Sequence, residues 1–85
     1  MSKIFGSKEL CNCLIKLGFL PKPQNASSHQ KYSIPLGLKP PQGLRPFIIV
    51  ILGKNKYDPH TCSSYVSQIK RLGIDFEKII EYLYK

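Results

Sequence analysis

Apolar residues recur at helical spacing in the first stretch of the chain. Leu10, Cys13, Leu14 and Leu17 fall on one helical face, and Cys11 and Ile15 widen the stripe. Ser7 precedes the stripe as a residue able to cap the free amides of a first turn, and Gly18 follows it where a left-handed stop is wanted. The pattern predicts a helix from Lys8 to Leu17. Phe19-Leu20 begins a short strand interrupted by Pro21 and Pro23, and polar Gln24 to Ser28 reads as a turn. From His29 to Ile34 the period changes to two. Gln30, Tyr32 and Ile34 then share the face that meets the helix, leaving His29, Lys31 and Ser33 on an exposed, basic one.

Pro35 to Pro46 is rich in Pro and Gly and reads as a long loop between strands. Phe47 to Leu52 is the strongest strand signal, apolar on both sides and hence expected at the centre of the sheet. Gly53 ends it, and Lys54-Asn55-Lys56 forms a basic turn. Asp58 as cap and Pro59 in the first turn open a second helix, carried by Cys62, Tyr65, Val66, Ile69 and Leu72 and stopped by Gly73. Asp75 caps a terminal helix with Phe76, Ile79, Ile80 and Leu83 as its apolar positions. The order is helix, strands, helix, helix, without internal repeat: an α+β class and a single domain over residues 1–85.

Charge narrows the range of partners. Thirteen Lys and Arg against five Asp and Glu leave a formal charge of +8 on 85 residues. Such an excess creates a positive surface field that attracts polyanions, with nucleic acid first and acidic membrane second. The start lacks the long apolar region of a secretory leader, and Phe47 to Leu52 is too short to span a bilayer. Three cysteines, an odd number, argue against a disulfide framework and fit a reducing cytoplasm. Cys11 and Cys13 point ~200° apart on a helix and do not converge on one metal ion. No phosphate-binding glycine loop or paired carboxylate site is present. No metal, and no small-molecule cofactor, is expected.

Two segments carry a family likeness. Gly6-Ser7-Lys8-Glu9-Leu10 followed by Leu17-Gly18-Phe19, and then Ser27-Ser28-His29-Gln30-Lys31-Tyr32, resemble the opening and the active-site strand of the HicA toxins. That strand carries a Gly-Ser-His or Gly-Thr-Ser-His run with an aromatic three residues after the histidine. Gly53-Lys54, and Asp58-Pro59-His60-Thr61 through Leu72-Gly73-Ile74, are similar to the family's third-strand exit and second helix. The resemblance implies a fold like that of double-stranded-RNA-binding domains: α-β-β-β-α, here with a short extra C-terminal helix, the helices on one face of a three-stranded antiparallel sheet. It also implies cleavage of mRNA without a metal, neutralisation by a HicB-type antitoxin, and His29 as the catalytic residue. The chain departs from the family in carrying Ala26 or Ser27 where a glycine precedes the histidine.

The chemistry needs few groups. A base removes the proton of a 2′-hydroxyl, which attacks the adjacent phosphate, and histidine suits this because its ordinary pKa lies near neutrality. Lys31, on the same strand face, is placed to meet the charge that develops on the phosphate. Lys54 and Lys56 are expected to hold the RNA backbone, and Ser28 is counted with the RNA-binding residues. The group that protonates the leaving oxygen is not identified; His60 is a candidate by type alone and reads more simply as a surface or capping residue. A non-catalytic basic RNA-binding module of the same fold is the alternative. A membrane-surface or adaptor protein ranks last, because the helical apolar stripes match what one sheet face would cover.

Overall fold

Leu10, Cys13 and Leu14 are wholly buried and form the inner stripe of the first helix, α1 (Ser7–Lys16). It is followed by β1 (Leu20–Pro21), β2 (His29–Ser33), β3 (Phe47–Ile51), α2 (Pro59–Arg71) and α3 (Phe76–Tyr84). This is a computed structural model, and the structure describes residues 4–22 and 28–84. Most of the turn read at Gln24–Ser28, with Pro23, Ala26 and Ser27, lies outside the described residues.

Both ends of α1 have local chemical causes, one of them unexpected. Gly6, not Ser7, is the N-cap, and its N–H donates to Oε1 of Glu9 at 2.7 Å. Ser7 occupies the first helical position and turns to the loop after β3. Its N–H and its hydroxyl both donate to the Lys54 carbonyl (2.9 and 3.1 Å), and its Oγ accepts the Lys54 N–H at 3.2 Å. At the other end Gly18 takes φ +97, a conformation costly for any residue with a Cβ. Gly18 N–H then reaches Ile15 O at 3.0 Å and Phe19 N–H reaches Leu14 O at 2.9 Å, closing the carbonyls of the last turn. The second helix starts as its sequence predicts. The Asp58 carboxylate accepts the Thr61 hydroxyl at 2.6 Å and the Thr61 N–H at 3.1 Å, which holds its pKa below the usual value, and Pro59 follows in the first turn.

The sheet is antiparallel in the order β1-β2-β3, with His29 opposite Ile51, Lys31 opposite Ile49 and Ser33 opposite Phe47. Tyr32, Ile48 and Val50 are buried on one face, and α1 packs against β3 and β1 there. α3 stacks on α1 and α2, and the Cys13 thiol points at the Ile79 carbonyl. Phe5, Tyr57, Tyr65 and Tyr84 add an aromatic cluster, with Phe5 and Tyr57 edge to face at 5.9 Å. Burial pushes the Cys13 thiol up to about 12 and the Tyr32 phenol to about 12.

Two further expectations are corrected. β3 is an edge strand, and β2 is the middle one. The second apolar face of β3, formed by Phe47, Ile49 and Ile51, is not under a helix; it lines an open groove, with Ile49 37% exposed. Ile15 and Phe76, counted with the apolar stripes, are 54% and 46% exposed. The Lys70 ammonium lies 5.4 Å from the Phe76 ring centroid. Among the described residues no helix is long and apolar enough to cross a membrane.

Candidate functional site

An edge strand leaves N–H and C=O groups without a neighbouring strand. In β3 two tyrosines satisfy three of them. The Tyr65 hydroxyl accepts the Ile51 N–H at 3.1 Å and donates to the Ile49 carbonyl at 3.0 Å, while the Tyr57 hydroxyl donates to the Ile51 carbonyl at 2.5 Å. These bonds fasten the start of α2 alongside the sheet. Both rings are buried among apolar neighbours, which raises the Tyr57 phenol pKa and keeps it a hydrogen-bond donor.

Fastening α2 there creates a groove of about 450 Å³. One wall is the open sheet face, with His29, Phe47, Ile49 and Ile51; the other is α2, with His60, Thr61, Ser64 and Gln68. That volume lies within the ~300–1,000 Å³ range of small-ligand sites. Arg45 lines this groove and also a smaller hollow of about 180 Å³ with Leu44 and Arg71. The two hollows share Arg45, Phe47 and Gln68, so the depression runs along α2 from His60 towards Arg71. It combines two histidines, two arginines, an apolar sheet floor and the polar side chains of one helix.

His29 lies at the start of β2 on the exposed face, as the alternation predicts. The Ser28 hydroxyl stands 3.2 Å from its Nδ1, and the Ser28 carbonyl accepts the Leu52 N–H at 2.7 Å. Lys31 shares that face two residues on, with its ammonium 4.2 Å from the centroid of the Phe47 ring. Lys54 and Lys56 are exposed in the loop after β3, at the same end of the sheet as His29. Neither lysine lines the groove. Ser28 and Lys31 do not line it either: Ser28 meets His29, and Lys31 reaches the groove only through the Phe47 ring.

Arg45, Ser64 and Gln68 are groove residues that no sequence motif marked, Arg71 reads from sequence as helix-exterior solvation or a phosphate or antitoxin contact, and His60 as a surface or capping residue. A signal for the helical set exists. His60, Ser64, Gln68 and Arg71 recur at intervals of four, four and three, a polar stripe beside the apolar stripe of Cys62, Tyr65, Ile69 and Leu72. Arg45 carries no such signal, because its place depends on how the loop before β3 returns to the sheet.

The cysteines are not brought together. The Cys62 thiol faces the carbonyls of Phe5 and Tyr57, and that of Cys13 faces Ile79. All three are free thiols. Among the described residues no group of three or more His, Cys, Asp or Glu could hold a metal ion.

The chain is α+β, with a three-stranded antiparallel open sheet and helices in an order compatible with α-β-β-β-α. Compared with family models, curated proteins and solved structures, it matches none.

Proposed function

We propose that this chain is a metal-independent endoribonuclease of the HicA type, a toxin that cuts mRNA in the cytoplasm and is neutralised by a HicB-type antitoxin. The observation that carries the reading is the placement of His29. It stands on the exposed face of the sheet and lines a groove together with Arg45, with the Ser28 hydroxyl at its ring and Lys31 two residues on along the same face. A histidine there is accessible to a polyanion, and the net charge of +8 draws one in. The likeness to double-stranded-RNA-binding domains belongs to the same proposal, supported by the sheet with α1 on one face and the basic residues on the other.

In this mechanism the RNA backbone lies along the groove. Lys54 and Lys56 hold it at the His29 end, and Arg45 and Arg71 at the other, by charge and without base readout. His29 takes the proton of a 2′-hydroxyl, and Lys31 counters the charge that builds on the attacked phosphate. Phe47 offers a ring on which a base can stack once the Lys31 ammonium shifts to a phosphate. Antitoxin binding over the same apolar and basic face would exclude RNA.

The deciding experiment compares wild type with His29→Ala on a single-stranded mRNA in chelator, with folding and RNA affinity measured for both. Cutting by wild type, and binding without cutting by the variant, is the expected result. Binding by both with cutting by neither would make the chain a non-catalytic RNA-binding module.

A further inference from the structure

Cleavage by 2′-hydroxyl attack needs an acid as well as a base. The P–O5′ bond breaks as the 2′-oxygen bonds to phosphorus, and the departing O5′ must receive a proton. The chain holds two histidines, and both line the same groove, one from the sheet and one from the helix. We propose that His60 is the general acid of the reaction; this rests on the ribonuclease reading given above.

The supporting geometry is in how the two histidines are held. His29 lies opposite Ile51 in the β2–β3 ladder. The Ile51 backbone is bound on its outer side by Tyr57 and Tyr65, which bracket His60 in sequence. The strand end carrying one imidazole thus lies across from the residue to which the segment flanking the other is hydrogen-bonded. Thr61, next to His60, is tied to the Asp58 cap through both its N–H and its hydroxyl, so the first turn of α2 does not fray. A general acid and a general base on opposing walls can address the two oxygens on either side of a phosphorus lying between them. The step balances without any further reactant. His29 takes the 2′-hydroxyl proton, the 2′-oxygen bonds to phosphorus, the P–O5′ bond breaks, and the His60 imidazolium supplies a proton to O5′. The products are a 2′,3′-cyclic phosphate and a 5′-hydroxyl.

Other side chains in the groove are poorer proton donors. Ser64, Thr61 and Gln68 carry no proton acidic enough near neutrality, and a guanidinium, as at Arg45 and Arg71, is too weak an acid for the role. Tyr65 commits its hydroxyl to the β3 backbone.

The test uses the full-length chain and two oligoribonucleotides that differ in one atom. One has the natural O5′ at the scissile bond; the other has sulfur there, a leaving group that departs without protonation. His60→Ala, with His60→Gln as a second variant, should cut the natural strand ~10²–10⁴-fold more slowly than wild type. Both variants should cut the sulfur-containing strand at close to the wild-type rate. His29→Ala should be slow on both. Equal slowing of the His60 variants on both strands would overturn the assignment in favour of a binding or structural role, and no slowing on either would also overturn it. Rescue of His29→Ala, rather than of the His60 variants, would reverse the roles and overturn it too. A wild-type chain that binds both strands and cuts neither removes the ribonuclease reading itself, and the assignment with it.

Discussion

Replacing Gly6 by alanine should destabilise this chain more than its small size suggests. Gly6 has φ −111, so its backbone angle is open to any residue; what it lacks is room. A Cβ there would strike the Asn55 carbonyl and lie 2.6 Å from the Lys54 oxygen. That is about 1 Å inside the ~3.5 Å separation of ordinary carbon contacts. The obstructing atoms are backbone, so a rotamer change cannot relieve the overlap, and the loop must move. Overpacking of this kind costs ~1–3 kcal/mol. Moving the loop also breaks the three hydrogen bonds between Ser7 and Lys54, worth ~1 kcal/mol each. The sum, ~4–6 kcal/mol, is a large part of the ~5–15 kcal/mol that holds a typical domain together. Thermal and urea denaturation followed by circular dichroism should show Tm lower by ~16 °C or more. Ser7→Ala, which removes the hydroxyl without a clash, should cost only ~1–2 kcal/mol and separates the two contributions. A Gly6→Ala chain within ~1 kcal/mol of wild type would refute the argument that the loop backbone is pressed against this position.

Other outcomes follow from the same physical arguments. Tyr65→Phe keeps the ring but leaves Ile51 N–H and Ile49 C=O without their hydroxyl partner, and urea titration should show a loss of ~1–3 kcal/mol. Alkali should destabilise the fold. The Cys13 thiol is raised from 9.0 to about 12 and the Tyr32 phenol from 10.0 to about 12, so their contribution is complete below the unfolded values and is lost as pH rises towards 12. A stability profile flat from pH 9 to pH 12 would contradict both shifts. Arg71→Ala should weaken binding of single-stranded RNA and reduce the slope of log affinity against log salt by ~0.7, and an unchanged slope would take Arg71 off the phosphate path.

The helices were the most legible part of the sequence, because Leu10, Cys13 and Leu14 in one, and Cys62, Tyr65 and Ile69 in the next, repeat at the helical period and are all buried. Gly18 and the Asp58-Pro59 pair likewise sit at the helix boundaries where their local chemistry puts them. What failed was inference from hydrophobicity to position within the sheet. Phe47, Ile49 and Ile51 alternate with Ile48 and Val50, a pattern that reads as burial on both faces, yet an apolar face can equally line a groove. Ser7 was a plausible cap by residue type, but a partner 47 residues away at Lys54 captured its hydroxyl, and no local pattern encodes that. The His29 cluster was legible because strand alternation fixes its face. That His29 and His60 line one groove was not, since it depends on two tyrosine hydroxyls tying a helix to a strand edge.

The long connection between β2 and β3 has a closed neck: the Ile34 N–H donates to the Pro46 carbonyl at 3.1 Å, directly beyond the Ser33–Phe47 pair. Past that bond the connection is separated from the pairing register, and its outer turn, with Leu36 89% exposed, makes little contact with the body of the protein. Lengthening the chain at Leu36-Gly37 should therefore be cheap, since doubling a flexible segment adds only ~0.6 kcal/mol of closure entropy. Arg45 sits beside the neck, where Leu44 is anchored by its N–H to the Pro41 carbonyl and packs against the core. A peptide tag or fluorophore inserted at Leu36-Gly37 would leave the groove intact, giving a handle for following the chain onto its partners from a site that none of the proposed chemistry uses.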